Sequence, residues 1–545
     1  MNRLLYSTTG IICLLLGACT QPPQTQTLSS EALSQQSADL IPQFEWAEGF
    51  ELELFATEPL VSDPVAMEIT EEGRMFVVEM HGYPLNVSGT GVIRELIDTN
   101  GDGFPDKSEV FADKLTLPTG IMRWKKGFLV PDAPDLVYLE DSDGDGKADK
   151  REVILTGFAR SNPQHNFNTP LYGLDNYIYL ANEYFITTRD YADIFGDEGS
   201  EIFFPAHPDG PRLPANANDL SVRFHPDKQE LYMTSSNTQY GHTFDPWGRY
   251  FQTSNASHLY HEVIDASYLE RKPELLVADA QQYVPTYGHP IEVFPITQNP
   301  QHQLLTDIGT ITSACAISWY QGGSFPESFN DVVFTAEPTH NLVHADKMQP
   351  TGATFSSTPL FPEKAFLASK DPAFRPVSLY TGPDGSMYVL DYHRQIIEHP
   401  EWMAESVNQS GELYEGNTQG RIYRIYPKGA SPSKSSTPLA SQTPEERVEH
   451  LSHKNLWWRK NAQRLLVDHQ DVSVKALLEA KARDDQDGLG QLHALWTLQG
   501  LNSLEPSLIQ KALQSPTAGV RENALKLLEA SGEKLKTWIE ALAPL

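Results

Sequence analysis

The chain has 545 residues and carries 41 Lys+Arg against 72 Asp+Glu, a formal net charge of −31. At roughly 100–200 residues per domain it is not a single small module, and so acidic a chain is a poor partner for a phosphate backbone or an anionic membrane surface. With 40% hydrophobic and 10% aromatic residues there is ample material for a core, so the excess carboxylates belong on the surface or in dedicated sites.

Residues 1–18 read as an export signal: a basic start at Arg3, an apolar run from Ile11 to Leu16, then small residues before a cysteine. Leu16-Gly17-Ala18-Cys19 fits the lipobox of bacterial lipoproteins, which predicts an acylated Cys19 as the first mature residue. An ordinary signal peptide cleaved nearby is the alternative. Cys13 leaves with the signal, so Cys315 keeps no disulfide partner. From 19 to 43, Gln, Ser, Thr and Pro dominate, and the stretch is expected to be a flexible tether. No later run approaches the ~18 apolar residues of a spanning helix. The expected location is therefore the cell envelope, facing the periplasm or on the outer membrane, with the lipid as sole anchor.

From 44 to 427 short β-type runs alternate with Gly, Pro, Asn and Asp. One phrase recurs: a turn with Gly or Asp, an aromatic or apolar pair, then a small polar or acidic end. Its landmarks Phe76, Leu129, Tyr179, Phe251, Phe334 and Tyr388 stand 53, 50, 72, 83 and 54 residues apart. Such spacing predicts a mainly β fold, a six-bladed β-propeller with two insertions, whose site residues come from separate blades. A β-sandwich or several small β domains is the alternative.

Two loops inside this region match the twelve-residue calcium pattern. The first is Asp98, Asn100, Asp102 and Gly103 with Asp106 and Glu109; the second, 43 residues on, is Asp141, Asp143, Asp145 and Gly146 with Asp149 and Glu152. Alternate oxygens of a tight loop point inward, Gly allows the turn, and hard oxygen ligands select Ca²⁺. The flanks read as strands, so these are expected to be structural calcium turns; Asp/Gly-rich hairpins without metal are the alternative.

After a Lys/Ser/Pro/Ala linker at 428–442 the period becomes helical. Thr443-Pro444-Glu445-Glu446 opens a helix, and Trp458-Arg459 with Ala462, Leu465 and Leu466 is echoed 62 residues later by Val520-Arg521 with Ala524, Leu527 and Leu528. The region 443–545 is read as a small HEAT-like helical repeat domain, with a plain helical bundle as the alternative.

His165, ahead of Gly173-Leu174-Asp175-Asn176-Tyr177-Ile178-Tyr179, resembles the His-to-GPD segment of the soluble quinoprotein glucose dehydrogenases. Nearly the whole mature chain is also similar to the membrane-bound dehydrogenase family of planctomycete and verrucomicrobial type. The phrases that carry this likeness include Gly241-His242-Thr243-Phe244-Asp245-Pro246-Trp247-Gly248-Arg249, Glu337-Pro338-Thr339-His340-Asn341, Phe374-Arg375-Pro376-Val377, Ile397-Glu398-His399-Pro400 and Asn455-Leu456-Trp457-Trp458-Arg459.

These resemblances imply a calcium-dependent propeller dehydrogenase using pyrroloquinoline quinone, with His165 taking the proton of a sugar or alcohol hydroxyl. Where the glucose enzymes have an Asp that orients this His, the sequence offers Glu183 or Tyr184. Hydride abstraction also calls for cations at the quinone carboxylates. Arg375 and Arg394 are the candidates, and Glu79 and Glu337, which end equivalent strand phrases, are expected near the channel mouth. Salt bridges from the arginines to Asp391 or Glu398 are the bland reading. His340 and His344 are read as packing residues ahead of metal ligands. No Cys-x-x-Cys-His is present, so electrons would pass to a separate acceptor such as a cytochrome c. A non-catalytic propeller that binds carbohydrate or a partner protein, with a protein partner on the helical repeats, is the second reading. Calcium-dependent lactone or ester hydrolysis is the third.

Overall fold

The computed structural model describes residues 24–186, 190–272, 274–297, 309–432 and 437–531. The export signal and Cys19 lie outside the described residues.

Six antiparallel sheets follow one another along the chain as the blades of a propeller. The six sequence landmarks fall on the second strand of each: Met75–Glu79, Gly127–Asp132, Ile178–Ala181, Tyr250–Ser254, Val332–Glu337 and Met387–Asp391. These strands lack polar alternation because neighbouring blades cover both faces; every residue of 332–337 and 387–391 is buried. Phe76, Phe111 and Phe128 illustrate the packing between blades one and two, with ring centroids 4.6–5.4 Å apart. The ring closes through strand Phe50–Thr57, which pairs with Arg421–Pro427 as the outermost strand of blade six.

The first strands stand innermost: Pro64–Ile69, Met122–Trp124, Asn168–Tyr172, His242–Phe244, Cys315–Trp319 and Pro376–Thr381. All six contribute to a central cavity of about 190 Å³. Close approach there demands small residues. Gly241 has φ +94°, and a Cβ on it would stand 2.9 Å from the Ala316 Cα.

The tether expectation for 19–43 fails over its described part. Thr25–Thr27 pairs with blade one, Ser30–Leu40 forms helix α1 capped by the Ser29 hydroxyl, and Phe44–Trp46 pairs with Leu367–Ser369 of blade five. The physical reason is a sparse set of apolar anchors, Leu28, Leu33, Leu40 and Ile41, which pack on the core although the average composition is polar. The segment thus joins blades one, five and six.

Helices α2 (Pro444–His450), α3 (Leu456–Asp468), α4 (Lys475–Ala482), α5 (Gly488–Gly500), α6 (Pro506–Ala512) and α7 (Ala518–Ala530) form three successive pairs. Their starts recur every 30–32 residues, half of the 62-residue offset between the two matching helical phrases. One face lies on the turns between first and second strands of the blades. Trp457 Nε1 donates to Ile69 O at 3.1 Å and Trp458 Nε1 to Pro383 O at 2.9 Å, while Asn176 Nδ2 donates to Trp496 O at 2.9 Å and Asn523 Nδ2 to Trp247 O at 2.9 Å. Leu456, Trp457 and Lys460 of α3 close that end of the channel.

Candidate functional site

At the other end of the channel, where the inner strands begin, the blades enclose a second cavity of about 420 Å³. A single helical turn, Pro163–His165, places His165 in its wall; Asn162 caps the turn, its side chain accepting from Gln164 N at 3.2 Å, and Pro163 fixes the first position. Glu183 comes from just past the second strand of the same blade. His165 Nδ1 meets Glu183 Oε1 at 2.5 Å, the two side chains being 9% and 4% exposed. A carboxylate partner requires the proton on Nδ1, which leaves the Nε2 lone pair for a ligand. Burial raises the Glu183 carboxyl above its usual range, and the bond to His165 opposes that rise in part. Of the two residues the sequence offered beside His165, Glu183 is thus the partner. Tyr184 lies with its ring centroid 6.5 Å away, half exposed in the cavity wall.

Apart from Glu398 the remaining lining is uncharged and amphipathic. Tyr83, Tyr240, Gln164, Gln239, Asn255, Thr312 and Ser313 supply hydroxyls and amides, beside Tyr184 and Trp402. Glu398 faces the same space, and burial pushes its carboxyl up to about 7, with lowering contributions from the His399 backbone N–H and from His165. Sequence reasoning placed Glu398 only as a salt-bridge partner. Its one cue was an acid set in apolar text, Ile396-Ile397 before it and His399-Pro400 after.

The other predicted site residues support the walls and do not line the cavity. Glu79 is buried and accepts from Ser62 N, His81 Nε2 and Arg94 Nε at 2.9–3.0 Å. Glu337 is equally buried and accepts from Thr312 N, Ser313 N and His340 N at 2.7–3.0 Å. Burial pushes its carboxyl up, but His340 and these N–H donors outweigh burial and hold it below the usual range. Asp132 and Asp391 repeat the arrangement in blades two and six, accepting from Thr116 N, Leu117 N and Arg375 N. In blades one, two, five and six the acidic end of the recurrent phrase is therefore an acceptor for the backbone that enters the inner strand. Arg375 is fully enclosed by carbonyls, donating to Arg394 O at 2.9 Å and Pro338 O at 2.7 Å, and burial lowers it to about 10. Arg394 pairs with buried Asp63 at 2.8 Å. Neither arginine lines the cavity: the donors of Arg375 meet carbonyls inside the wall, and the buried Arg394 is turned to Asp63; the predicted partners Asp391 and Glu398 give way to Asp63 and backbone carbonyls.

The two acidic loops close equivalent hairpins of blades one and two with one hydrogen-bond pattern. Asp98 accepts from Gly101 N and Gly103 N at 2.7 and 2.9 Å, and Asp141 from Gly144 N and Gly146 N at the same distances. Asp106 and Asp149 accept from the backbone of Thr99 and Ser142. Oxygens of Asp141, Asp143 and Asp145 lie within 4.8 Å of one another, a hard-oxygen set that suits Ca²⁺. In the first loop Asn100 Nδ2 donates to Asp102 Oδ2 at 3.0 Å. The closing acids Glu109 and Glu152 turn onto the strands, 2.6 Å from Lys107 and 3.5 Å from Lys150.

The chain belongs to the family described as a domain of unknown function, DUF7133, whose profile matches residues 36–429. No curated protein matches the sequence. Among solved structures it is similar to the soluble aldose sugar dehydrogenase of Escherichia coli, at 12% identity and TM-score 0.37, over 70% of this chain and 100% of that one. It is likewise similar to the PQQ-bound aldose sugar dehydrogenase of Streptomyces coelicolor, at 12% identity and TM-score 0.37, over 70% and 99%. A luciferin-regenerating enzyme matches at 11% identity and TM-score 0.40, over 70% and 96%. At these identities and scores the reactions of those proteins stay with them.

Proposed function

We propose that the 420 Å³ cavity of this DUF7133 chain is the active site of an oxidoreductase for a sugar or alcohol, with His165 as the base that takes a hydroxyl proton. The observation that carries this reading is the 2.5 Å contact between His165 Nδ1 and Glu183 Oε1 at the cavity wall. Glu183 holds the imidazole with Nε2 toward the substrate and stabilises the imidazolium formed when the hydroxyl proton arrives. The lining supports a neutral, hydroxyl-bearing substrate: it offers hydroxyls, amides and the exposed rings of Tyr184 and Trp402, and among the described residues no Lys or Arg.

Pyrroloquinoline quinone would supply a hydride acceptor when bound, but its carboxylates need cations, and Arg375 and Arg394 are held inside the wall. The described residues do not fit that group, so the hydride that leaves the substrate carbon is assigned to a free quinone, which is reduced to the quinol and passes its electrons to a separate acceptor such as a cytochrome c. The lipobox at 16–19 supports a cell-envelope protein anchored through Cys19, and the repeated loop geometry supports Ca²⁺ at 98–109 and 141–152. The period and pairing of α2–α7 support a HEAT-like array, one face of which its own propeller covers.

Carbohydrate binding without turnover is the second reading, favoured by Tyr184 and Trp402, which are 50% and 38% exposed as stacking faces. One experiment separates the two. Aldoses and simple alcohols are titrated against the intrinsic tryptophan fluorescence, and redox-dye reduction is followed in parallel with and without Ca²⁺ and added quinone. The enzyme reading expects dye reduction that His165→Ala abolishes while binding survives. Binding with no dye reduction under any condition overturns it in favour of the second reading, and absence of both overturns the sugar or alcohol site itself.

A further inference from the structure

The third strand of blade four, Ser257–Glu262, and that of blade five, Leu342–Thr351, approach each other away from the channel cavities. Residues two apart on a strand share a face, so His344 and Asp346 point together, toward His258. His258 Nε2 lies 2.7 Å and His344 Nε2 3.2 Å from the same oxygen, Asp346 Oδ2. The side chains of His258, His344 and Asp346 are 0%, 7% and 1% exposed. Tyr287 stands over the group, its hydroxyl 2.9 Å from His344 Nε2 and 2.8 Å from Asp346 Oδ1, and Ser357 Oγ donates to Asp346 Oδ1 at 2.9 Å.

Among the described residues the ion-pair partners of Asp346 are the two imidazoles alone. An ionised carboxylate taken out of water needs a cation beside it. Two imidazole nitrogens and one carboxylate oxygen form a ligand set for a borderline divalent ion. At about 2.0–2.1 Å from each ligand, the edges between ligand atoms are about 3.3 Å. The 3.2 Å edge already has that length, and the 2.7 Å edge needs to open by about half an ångström.

We infer that His258, His344 and Asp346 form a buried site for a divalent ion of the zinc class, which ties blade four to blade five. Tyr287 covers the fourth position, so the ion has a structural role and is remote in kind from the hard-oxygen loops at 98–109 and 141–152. It makes no use of the reading given to the channel cavity.

The test uses the full chain in excess Ca²⁺, which saturates the carboxylate loops, titrated with Co²⁺ and then Zn²⁺. The expected result is one equivalent of Co²⁺ with the visible absorption of a nitrogen-ligated site, displaced by one equivalent of Zn²⁺, and a higher melting temperature with either ion. His344→Ala and Asp346→Asn lose the absorption and the thermal shift, while Asp141→Ala keeps both. Should those variants unfold, His258→Asn serves for the comparison, and the stoichiometry and spectrum of the wild-type chain decide alone. No absorption in the wild type, an absorption that survives His344→Ala in folded protein, or one that disappears in Asp141→Ala overturns the inference.

Discussion

Glu183 of blade three and Glu337 of blade five both stand where the second strand of a blade ends, and both are buried, yet they do opposite work. Glu337 ends its strand and receives three backbone N–H groups from the wall. In blade three Asn182 stands between strand and acid and bonds the backbone instead, donating to Asn216 O and Leu220 O at 3.0–3.1 Å. That leaves Glu183 one residue further on, where the side chain meeting it is His165. The difference teaches that a carboxylate becomes available for chemistry when it stands one residue past the position that the backbone engages. An acid at the end of a strand is otherwise consumed by the fold.

The comparison breaks most sharply on stability. Glu337→Ala strands three buried N–H groups, each costing about 1–3 kcal/mol, so a loss of at least about 3 kcal/mol is expected in denaturant unfolding. Glu183→Gln keeps an acceptor for its single partner and should unfold within about 1 kcal/mol of the wild type; equal losses in the two variants would dissolve the distinction. On activity the order reverses. His165→Ala should lower turnover by about 10²–10⁴-fold in protein that still folds, and Glu183→Gln by about 10²-fold, measured as dye reduction.

A smaller effect concerns Glu398. Its carboxyl titrates at about 7 in the folded chain, against an ordinary 4.5, so the folded state holds a proton that the unfolded state has lost between those values. The fold should therefore lose stability as pH rises from about 4.5 to about 7, a slope that Glu398→Gln removes in pH-dependent melting. The same substitution should flatten a few-fold change in substrate affinity centred near pH 7, since above it the cavity gains a negative charge opposite His165.

Much of the architecture was legible because it is periodic. Phe76, Leu129, Tyr179, Phe251, Phe334 and Tyr388 mark six blades, and the offset between Trp458 and Val520 marks the helix pairs. Position 44 as a start was less successful. The sheet partners of Thr25–Thr27 lie near 108, and the anchors of α1 are too few to show in composition. The site was half legible. His165 stood out by its motif, but the choice between Glu183 and Tyr184 depends on a one-residue difference in how the chain leaves a strand. Arg375, Arg394, Glu79 and Glu337 have the right chemistry for ligands, and the sequence contains no trace of the carbonyls, N–H groups and Asp63 that engage them. The grouping of His258 with His344 and Asp346 was equally invisible, since 86 residues separate the first two and only strand pairing across two blades unites them.

The central claim is that Glu183 fixes His165 as a base with Nε2 toward the cavity, and the tautomer of that ring tests it most directly. In protein labelled with ¹⁵N-histidine, with His165 assigned by its absence in His165→Ala, the neutral ring is predicted to carry its proton on Nδ1 and a bare Nε2, and to redistribute between tautomers in Glu183→Gln. A neutral ring protonated on Nε2, or a spectrum unchanged by Glu183→Gln, would contradict the account.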